Sequence, residues 1–346
     1  MTGENVIAGL TRNPQFFIDK MIKNFKRSLI FNFQFSIMKT LSVIVPCYNE
    51  EAVVALAYER LKKVLSGLSL SSRIIFVNDG SRDKTREILS GIAAKDTAVQ
   101  VIHFSRNFGH QKAVAAGIHH CNSDWAVIMD ADMQDPPELI PELMAVQEKE
   151  HANVVYCIRQ NRKGESKFKI WSAKSFYRLL NKMSEIEFPS DAGDFRLIDA
   201  NVIREFNRFK EKGKYIRGII SWIGFKQVPF YYEREARLAG DTKYPLKKML
   251  SFASTALLYF SKKPLLIAIS LGFVAVLFGI VMALWYIFGK IFGYTDAESG
   301  WTSIMITIIF FGGIQLLTVG VLGQYIGILF DEVKDRPEYI IEAIDN

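Results

Sequence analysis

From Lys39 onward, apolar and polar positions fall into blocks that change period along the chain. Apolar runs of strand length occur at Leu41–Val45, Arg73–Val77, Val99–Phe104, Trp125–Met129 and Asn153–Ile158. Between them, helical periodicity covers Glu50–Leu65, Lys84–Ala94, Gln111–His120 and Glu138–Glu150. Strands alternating with helices of this length predict a parallel sheet covered by helices on both faces, joined by right-handed crossovers. A run as wholly apolar as Trp125–Met129 fits a strand buried on both sides. Pro136 and Pro137 then open the next helical segment, with Asp135 expected as its N-cap.

The pattern changes again near the end. Pro264–Gly289 and Thr302–Phe330 contain no Asp, Glu, Lys or Arg. Each exceeds the roughly 20 residues that cross a bilayer core of about 30 Å, so two membrane helices are predicted. Lys243, Lys247, Lys248, Lys262 and Lys263 crowd the approach to the first, and Lys334 and Arg336 follow the second. The connection between them, Lys290–Gly300, sets one Lys against Asp296 and Glu298. The positive-inside rule therefore places both termini in the cytoplasm and the short loop outside, in a multi-pass protein of the cell membrane. The stretch before the first strand, Met1–Ile37, is Phe-rich and basic, but lacks the uninterrupted apolar core of a signal peptide. It reads as a leader, with strand patterning beginning after Met38.

The chain is 346 residues long with 43 Lys and Arg against 36 Asp and Glu. That excess is explained by the membrane flanks, where basic residues also attract anionic lipid heads. No basic stripe interleaved with stacking aromatics occurs elsewhere, which argues against nucleic acid as a partner. Cys47, Cys121 and Cys157 are odd in number and scattered, as in a reduced compartment. The histidines show no H-x-x-x-H spacing, so zinc is not expected, and His119 and His120 read as a helix end.

Candidate chemistry lies at the strand ends. Past Trp125–Met129 come Asp130, Asp132 and Asp135, with Gln134 between. A bare D-x-D is as often a solvated acidic turn, but the buried lead-in and the Pro-Pro exit favour a site. Carboxylates just beyond the C-terminal end of a buried strand stand where open α/β sheets bind ligands. Hard oxygen donors there suit Mg²⁺ or Mn²⁺, which can bridge two phosphates; Asp132, Asp130 and Gln134 are the metal candidates. Polar clusters also follow the other strands, at Pro46–Glu50, Asn78–Asp83 and Phe104–His110. Asp79 can accept from a base or ribose, and Tyr48 can lie against a base. Singly each is turn chemistry; four polar clusters at the same edge of one sheet are harder to dismiss. Neither G-x-G-x-x-G nor G-x-x-x-x-G-K-[ST] is present, which argues against dinucleotide dehydrogenases and P-loop ATPases.

Together V-P-C-Y-N-E, V-N-D-G-S-R-D, R-N-F-G-H and D-A-D-M-Q-D-P-P resemble the GT-A family 2 glycosyltransferases. The downstream D-A-G-D-F-R-L, R-G-I-I-S-W-I-G-F and K-Y-P-L-K-K, with two C-terminal spans, are similar to the polyprenyl-phosphate (bactoprenol) glucosyltransferases, relatives of dolichyl-phosphate mannose synthase. The resemblance runs from about Lys39 to the C-terminus. It departs at Asp241-Thr242, where Glu-Ser is expected, and the chain lacks the Q-x-x-R-W of processive members.

The resemblance implies an α/β fold: a GT-A, Rossmann-like, mostly parallel cytoplasmic domain, interfacial helices and two transmembrane helices. On this reading residues 1–37 are a leader, 38–165 the nucleotide-sugar half and 166–245 the acceptor half. Residues 246–263 are a juxtamembrane helix, 264–290 and 301–328 the spans, and 329–346 a cytoplasmic tail. Donor contacts are expected from Pro46, Tyr48, Glu50, Asp79, Ser81, Arg106 and Lys112, with Asp130 and Ala131. Arg237 and Lys243 lie on a loop which in the family folds over the donor diphosphate, although plain solvated charge fits them equally. Asp194 is implied to sit near the sugar's anomeric carbon, and Asp132 and Asp194 are the catalytic expectations.

Lys167–Lys182 places Phe168, Trp171, Phe176, Leu179 and Leu180 among five basic residues, a pattern suited to lying in the membrane interface. Arg159 and Arg162 precede it and are candidates for the acceptor phosphate, because a planar fork binds two phosphate oxygens at once. The expected reaction is inverting transfer of a hexose, glucose from UDP-glucose, onto polyprenyl phosphate. GDP-mannose or a modified UDP-sugar as donor, or a catalytically idle membrane scaffold, remain open alternatives. An oligomer of identical chains is also expected.

Overall fold

In the computed structural model of the chain, residues 39–160, 192–233, 261–293 and 300–346 are described. Within them the strands are β1 (Thr40–Cys47), β2 (Ser71–Asn78), β3 (Val99–Phe104), β4 (Trp125–Ile128), β5 (Val154–Arg159), β6 (Ala192–Asp199), β7 (Gln227–Tyr232) and β8 (Ile341–Asp345). They form one sheet in the order β7-β5-β6-β4-β1-β2-β3-β8. β1, β2, β3 and β4 are parallel to their neighbours within this group, and β7 is parallel to β5. β6 runs antiparallel between β4 and β5, and β8 antiparallel to β3. The sheet is therefore mixed, with its four sequential parallel strands at the centre.

The helices are α1 (Val54–Ser66), α2 (Thr85–Ala93), α3 (His110–His119), α4 (Ile140–Glu150), α5 (Ala200–Phe206), α6 (Ile216–Ile223), α7 (Lys263–Ile291) and α8 (Trp301–Val333). Strand side chains alternate between two cores, as the period of two demands. Leu41, Val43 and Val45 of β1 join Ile74 and Phe76 of β2 under α1, α2 and α4. Ile44, Ile75 and Val77 face the other way, under α3, α5 and α6. A Cβ on Gly117 of α3 would stand 2.2 Å from Cγ2 of Ile44, so the closeness of that helix to β1 needs a glycine. Cys47, Cys121 and Cys157 are buried free thiols.

Several elements differ from the sequence reading. β1 continues to Cys47, and α1 begins only at Val54, after a loop in which the Glu50 N–H donates to Thr85 Oγ1 at 2.9 Å. Asp135 is not an N-cap: Pro136 precedes a 3₁₀ turn over Pro137–Leu139 that has no side-chain cap. Its carboxylate is fully buried instead and accepts from the Tyr232 hydroxyl, with the Arg159 guanidinium 3.8 Å away. β6, β7, β8, α5 and α6 are not among the elements that the periodicity predicts, and the tail after α8 rejoins the sheet as β8. The leader 1–37, the interfacial segment Lys167–Lys182 and all but the last three residues of the juxtamembrane segment 246–263 lie outside the described residues.

α7 and α8 are long and apolar enough to cross a membrane. They pack on each other through Phe278 and Phe310, with ring centroids 5.7 Å apart. Most of their large apolar side chains face outward, Phe273, Ile309 and Leu316 among them.

Candidate functional site

β1, β2, β3 and β4 all end at one edge, and the loops leaving them brace one another. Asp79 is buried, and its carboxylate oxygens accept from the backbone N–H groups of Phe108 (2.6 Å) and Gly109 (2.9 Å). Burial pushes its pKa up, against those two donors. Asp79 thus fixes the loop between β3 and α3. Gly80 has φ +61°, and a Cβ there would lie 2.2 Å from the Arg106 carbonyl carbon, so only glycine lets these loops meet. Ser81 Oγ accepts from the Asn49 N–H at 3.0 Å, while Asn49 Oδ1 accepts from the Arg82 N–H at 2.9 Å. Asn49 and Met133 both have positive φ, 55° and 54°. Asn tolerates that region, but for Met it stores strain, and it does so inside the acidic loop.

Around this frame stand the expected donor residues. Pro46 is interior to β1, Tyr48 is exposed above it, and Glu50 and Ser81 flank the first two loops. Arg106 is exposed, with its guanidinium 4.0 Å from the centre of the Phe108 ring. Lys112 lies in the first turn of α3, and Ala131 is buried between the two aspartates.

Asp130 belongs to a tight charge cluster that draws on distant parts of the chain. His110 Nε2 stands 3.2 Å from Asp194 and 3.6 Å from Asp130. Arg217, on the first turn of α6, reaches the other Asp194 oxygen at 3.2 Å. Gln111 approaches Asp194 at 3.4 Å and also accepts from the Ile216 N–H at 3.0 Å, tying α3 to α6. Burial disfavours the Asp194 carboxylate, yet Arg217 and His110 outweigh it and hold its pKa well below the usual range. Burial likewise opposes the His110 charge, but Asp194 and Asp130 overcome it and raise the imidazolium pKa to about 9. For Asp130, burial dominates and the neighbouring carboxylates add to it, pushing its pKa up to about 6. The cluster is a charged constellation: one ionised aspartate gripped by two cations, beside an aspartate that gives up its proton less readily.

The acidic loop has the donors a divalent cation needs. Gln134 Oε1 is buried without a hydrogen-bond partner, while its backbone N–H donates to Asp132 Oδ1 at 3.2 Å. An orphaned amide oxygen in the loop that also carries Asp130 and Asp132 fits a hard cation. Among the described residues no three His, Cys, Asp or Glu side chains group so as to hold a metal alone. That donor count suits Mg²⁺-type binding, in which one or two carboxylates are completed by water and substrate phosphates.

Arg159 lies beneath the same loop. Its Nε is 3.3 Å from the Tyr232 hydroxyl, and its guanidinium borders Gly193, whose absent side chain leaves it room. Arg162, Arg237 and Lys243 lie outside the described residues. His110, Gln111 and Arg217 form part of the site without having been assigned roles from sequence. His110 ends the motif R-N-F-G-H and Arg217 opens R-G-I-I-S-W-I-G-F, so both lie within segments that carry the family resemblance.

Residues 42–206 match the profile of the family described as Glycosyl transferase family 2. The chain is 46% identical over 302 residues to the uncharacterized glycosyltransferase YkcC of Bacillus subtilis (strain 168), covering 87% of this chain and 93% of that one. It is 35% identical over 304 residues to the prophage bactoprenol glucosyl transferase homolog of Escherichia coli (strain K12), covering 88% and 99%. It is also 34% identical over 303 residues to the SfII prophage-derived bactoprenol glucosyl transferase of Shigella flexneri, covering 87% and 97%.

Proposed function

The chain belongs to glycosyltransferase family 2 and is a glycosyltransferase, and from that premise we propose that it transfers glucose from UDP-glucose onto a polyprenyl phosphate, with inversion, at a membrane surface. One observation carries the reading. The ionised Asp194, gripped by His110 and Arg217, stands beside the D-x-D loop at the edge where four parallel strands end. Relatives with bactoprenol glucosyl transferase in their names support the lipid acceptor and the sugar.

In this reading the loops after β1 and β2, locked by Asn49 and Ser81, receive the nucleotide, with Tyr48 against the base. Asp79 acts at one remove, since its carboxylate holds the Phe108–Gly109 backbone. Asp132, Asp130 and Gln134 would hold Mg²⁺ or Mn²⁺. Such an ion, when bound, neutralises charge that builds on the diphosphate leaving group. Arg237 and Lys243 are the proposed further cations for the diphosphate.

The acceptor needs no general base. A phosphate monoester has a second pKa near 6, so at neutral pH the lipid phosphate is largely dianionic already. Asp194 is correspondingly an orienting and electrostatic group, because its two cationic partners keep it from taking a proton. Arg159 and Arg162 are the proposed cradle that sets the phosphate in line with the anomeric carbon. α7 and α8 would keep the lipid head near the site, raising effective concentration rather than reactivity. Calorimetric titration with UDP-glucose, UDP-galactose, UDP-N-acetylglucosamine and GDP-mannose in Mg²⁺ tests the donor. UDP-glucose should bind most tightly; preference for GDP-mannose would replace the donor, and no binding by any would remove the reading.

A further inference from the structure

The segment that follows α8 does more than end the chain. After Val333 it returns to the sheet at Ile341, and the Ser105 N–H donates to the Ile340 carbonyl at 3.0 Å. The Tyr339 ring stacks on Phe104 at 4.9 Å and 12°, with its hydroxyl 2.8 Å from His119 Nδ1. Phe104 in turn meets Phe108 edge-on at 5.7 Å. The loop that presents His110 to Asp194 therefore hangs from an aromatic residue capped by Tyr339.

A second limb grips the other side of the cluster. Lys214 and Glu338 form an ion pair of 2.6 Å, with side chains only 2% and 10% exposed. The Lys212 N–H donates to Glu332 at 2.9 Å, and its Nζ pairs with Asp335 at 2.6 Å. Two residues beyond Lys214 the chain enters α6, whose Ile216 N–H is held by Gln111 and whose Arg217 holds Asp194. A pair buried this far is costly to leave broken, unlike a surface pair. Both limbs start from the end of one apolar helix and finish on the two segments that supply cations to Asp194.

We propose that residues 332–345 are a positioning strap. Through Tyr339 they fix the Arg106–His110 loop, and through Glu338 they fix the entry to α6, so the seating of α8 sets the arrangement of His110 and Arg217 around Asp194. The activity consequence rests on the transferase reading above; the structural coupling does not.

The test uses the full chain in detergent or vesicles and compares Tyr339→Ala, Tyr339→Phe and Glu338→Gln with the parent. Two quantities are read: glucose transfer from UDP-glucose to polyprenyl phosphate, and backbone hydrogen exchange resolved by segment. Tyr339→Ala should slow transfer about tenfold or more, since small misplacements of reacting groups are expensive. It should speed exchange at residues 105–110 while leaving β1 unchanged. Tyr339→Phe keeps the stack and should restore transfer to within about threefold of the parent. Glu338→Gln should raise exchange at residues 212–217, and it stands in for Tyr339→Ala if that variant does not fold. Parent-like exchange at both segments would overturn the strap, as would a uniform rise across the whole sheet. A parent that transfers no sugar defeats the transferase reading alone, and the exchange contrast still decides the coupling.

Discussion

At the scale of single residues, Asp132 and Arg159 are the most informative to change. Asp132→Asn removes a carboxylate from the acidic loop while keeping its size. It should lower transfer by roughly a hundredfold or more, the order seen when one preorganised electrostatic group is lost. EDTA should do the same to the parent, with Mg²⁺ or Mn²⁺ restoring turnover; full activity in chelator would remove the metal from the site. Arg159→Lys keeps the charge but loses the planar fork. Steady-state assays should show lipid glycosylation strongly depressed with UDP-glucose affinity nearly unchanged, and a parallel loss of donor affinity would assign Arg159 to the diphosphate instead. The acidic loop was legible because its residues are contiguous and follow an apolar run. The partners of Asp135 were not. Tyr232 lies on a strand far along the chain, and a Pro-Pro sequence makes local capping look sufficient. His110 and Arg217 were hidden for the same reason, since only the fold brings them onto Asp194.

At the scale of elements, β1 to β5 and α1 to α4 declared themselves through clean changes of period. β8 did not, because Ile341–Asp345 reads Ile-Glu-Ala-Ile-Asp, too short and too irregular to show a period, and no residue in it is fully buried. Yet that tail covers a titratable helix end. His119, beside Tyr339 and facing Lys214, has its pKa lowered to about 4 from 6.5, by burial first and by the Lys214 charge second. A histidine whose folded pKa lies below its unfolded one binds its proton better in the unfolded chain. The His119 contribution to stability should therefore be level above about pH 6.5 and fall as the pH drops towards 4, whereas His110, raised to about 9, contributes stability that is lost as the pH climbs from about 6.5 to 9. Unfolding followed from pH 7 to pH 4 should show this slope, and His119→Gln should reduce it. An unchanged slope in that variant would shift the effect to other groups, among them His103, whose pKa burial also lowers.

At the scale of the whole molecule, a family 2 glycosyltransferase domain is joined to two apolar helices, and the chain returns to the sheet of that domain after α8 as β8. Four Lys ahead of α7, Lys263 at its first position, and Lys334 and Arg336 after α8 are the basic flanks that the positive-inside rule associates with cytoplasmic segments. Transfer to a membrane lipid is the central claim, and it is measured directly by placing the full chain in vesicles containing polyprenyl phosphate and adding UDP-glucose labelled in the sugar. The account predicts saturable, divalent-dependent appearance of the label in a lipid phosphodiester, with the anomeric configuration inverted relative to the donor. Label released only as free glucose, or lipid-linked glucose with the donor's configuration retained, would contradict it.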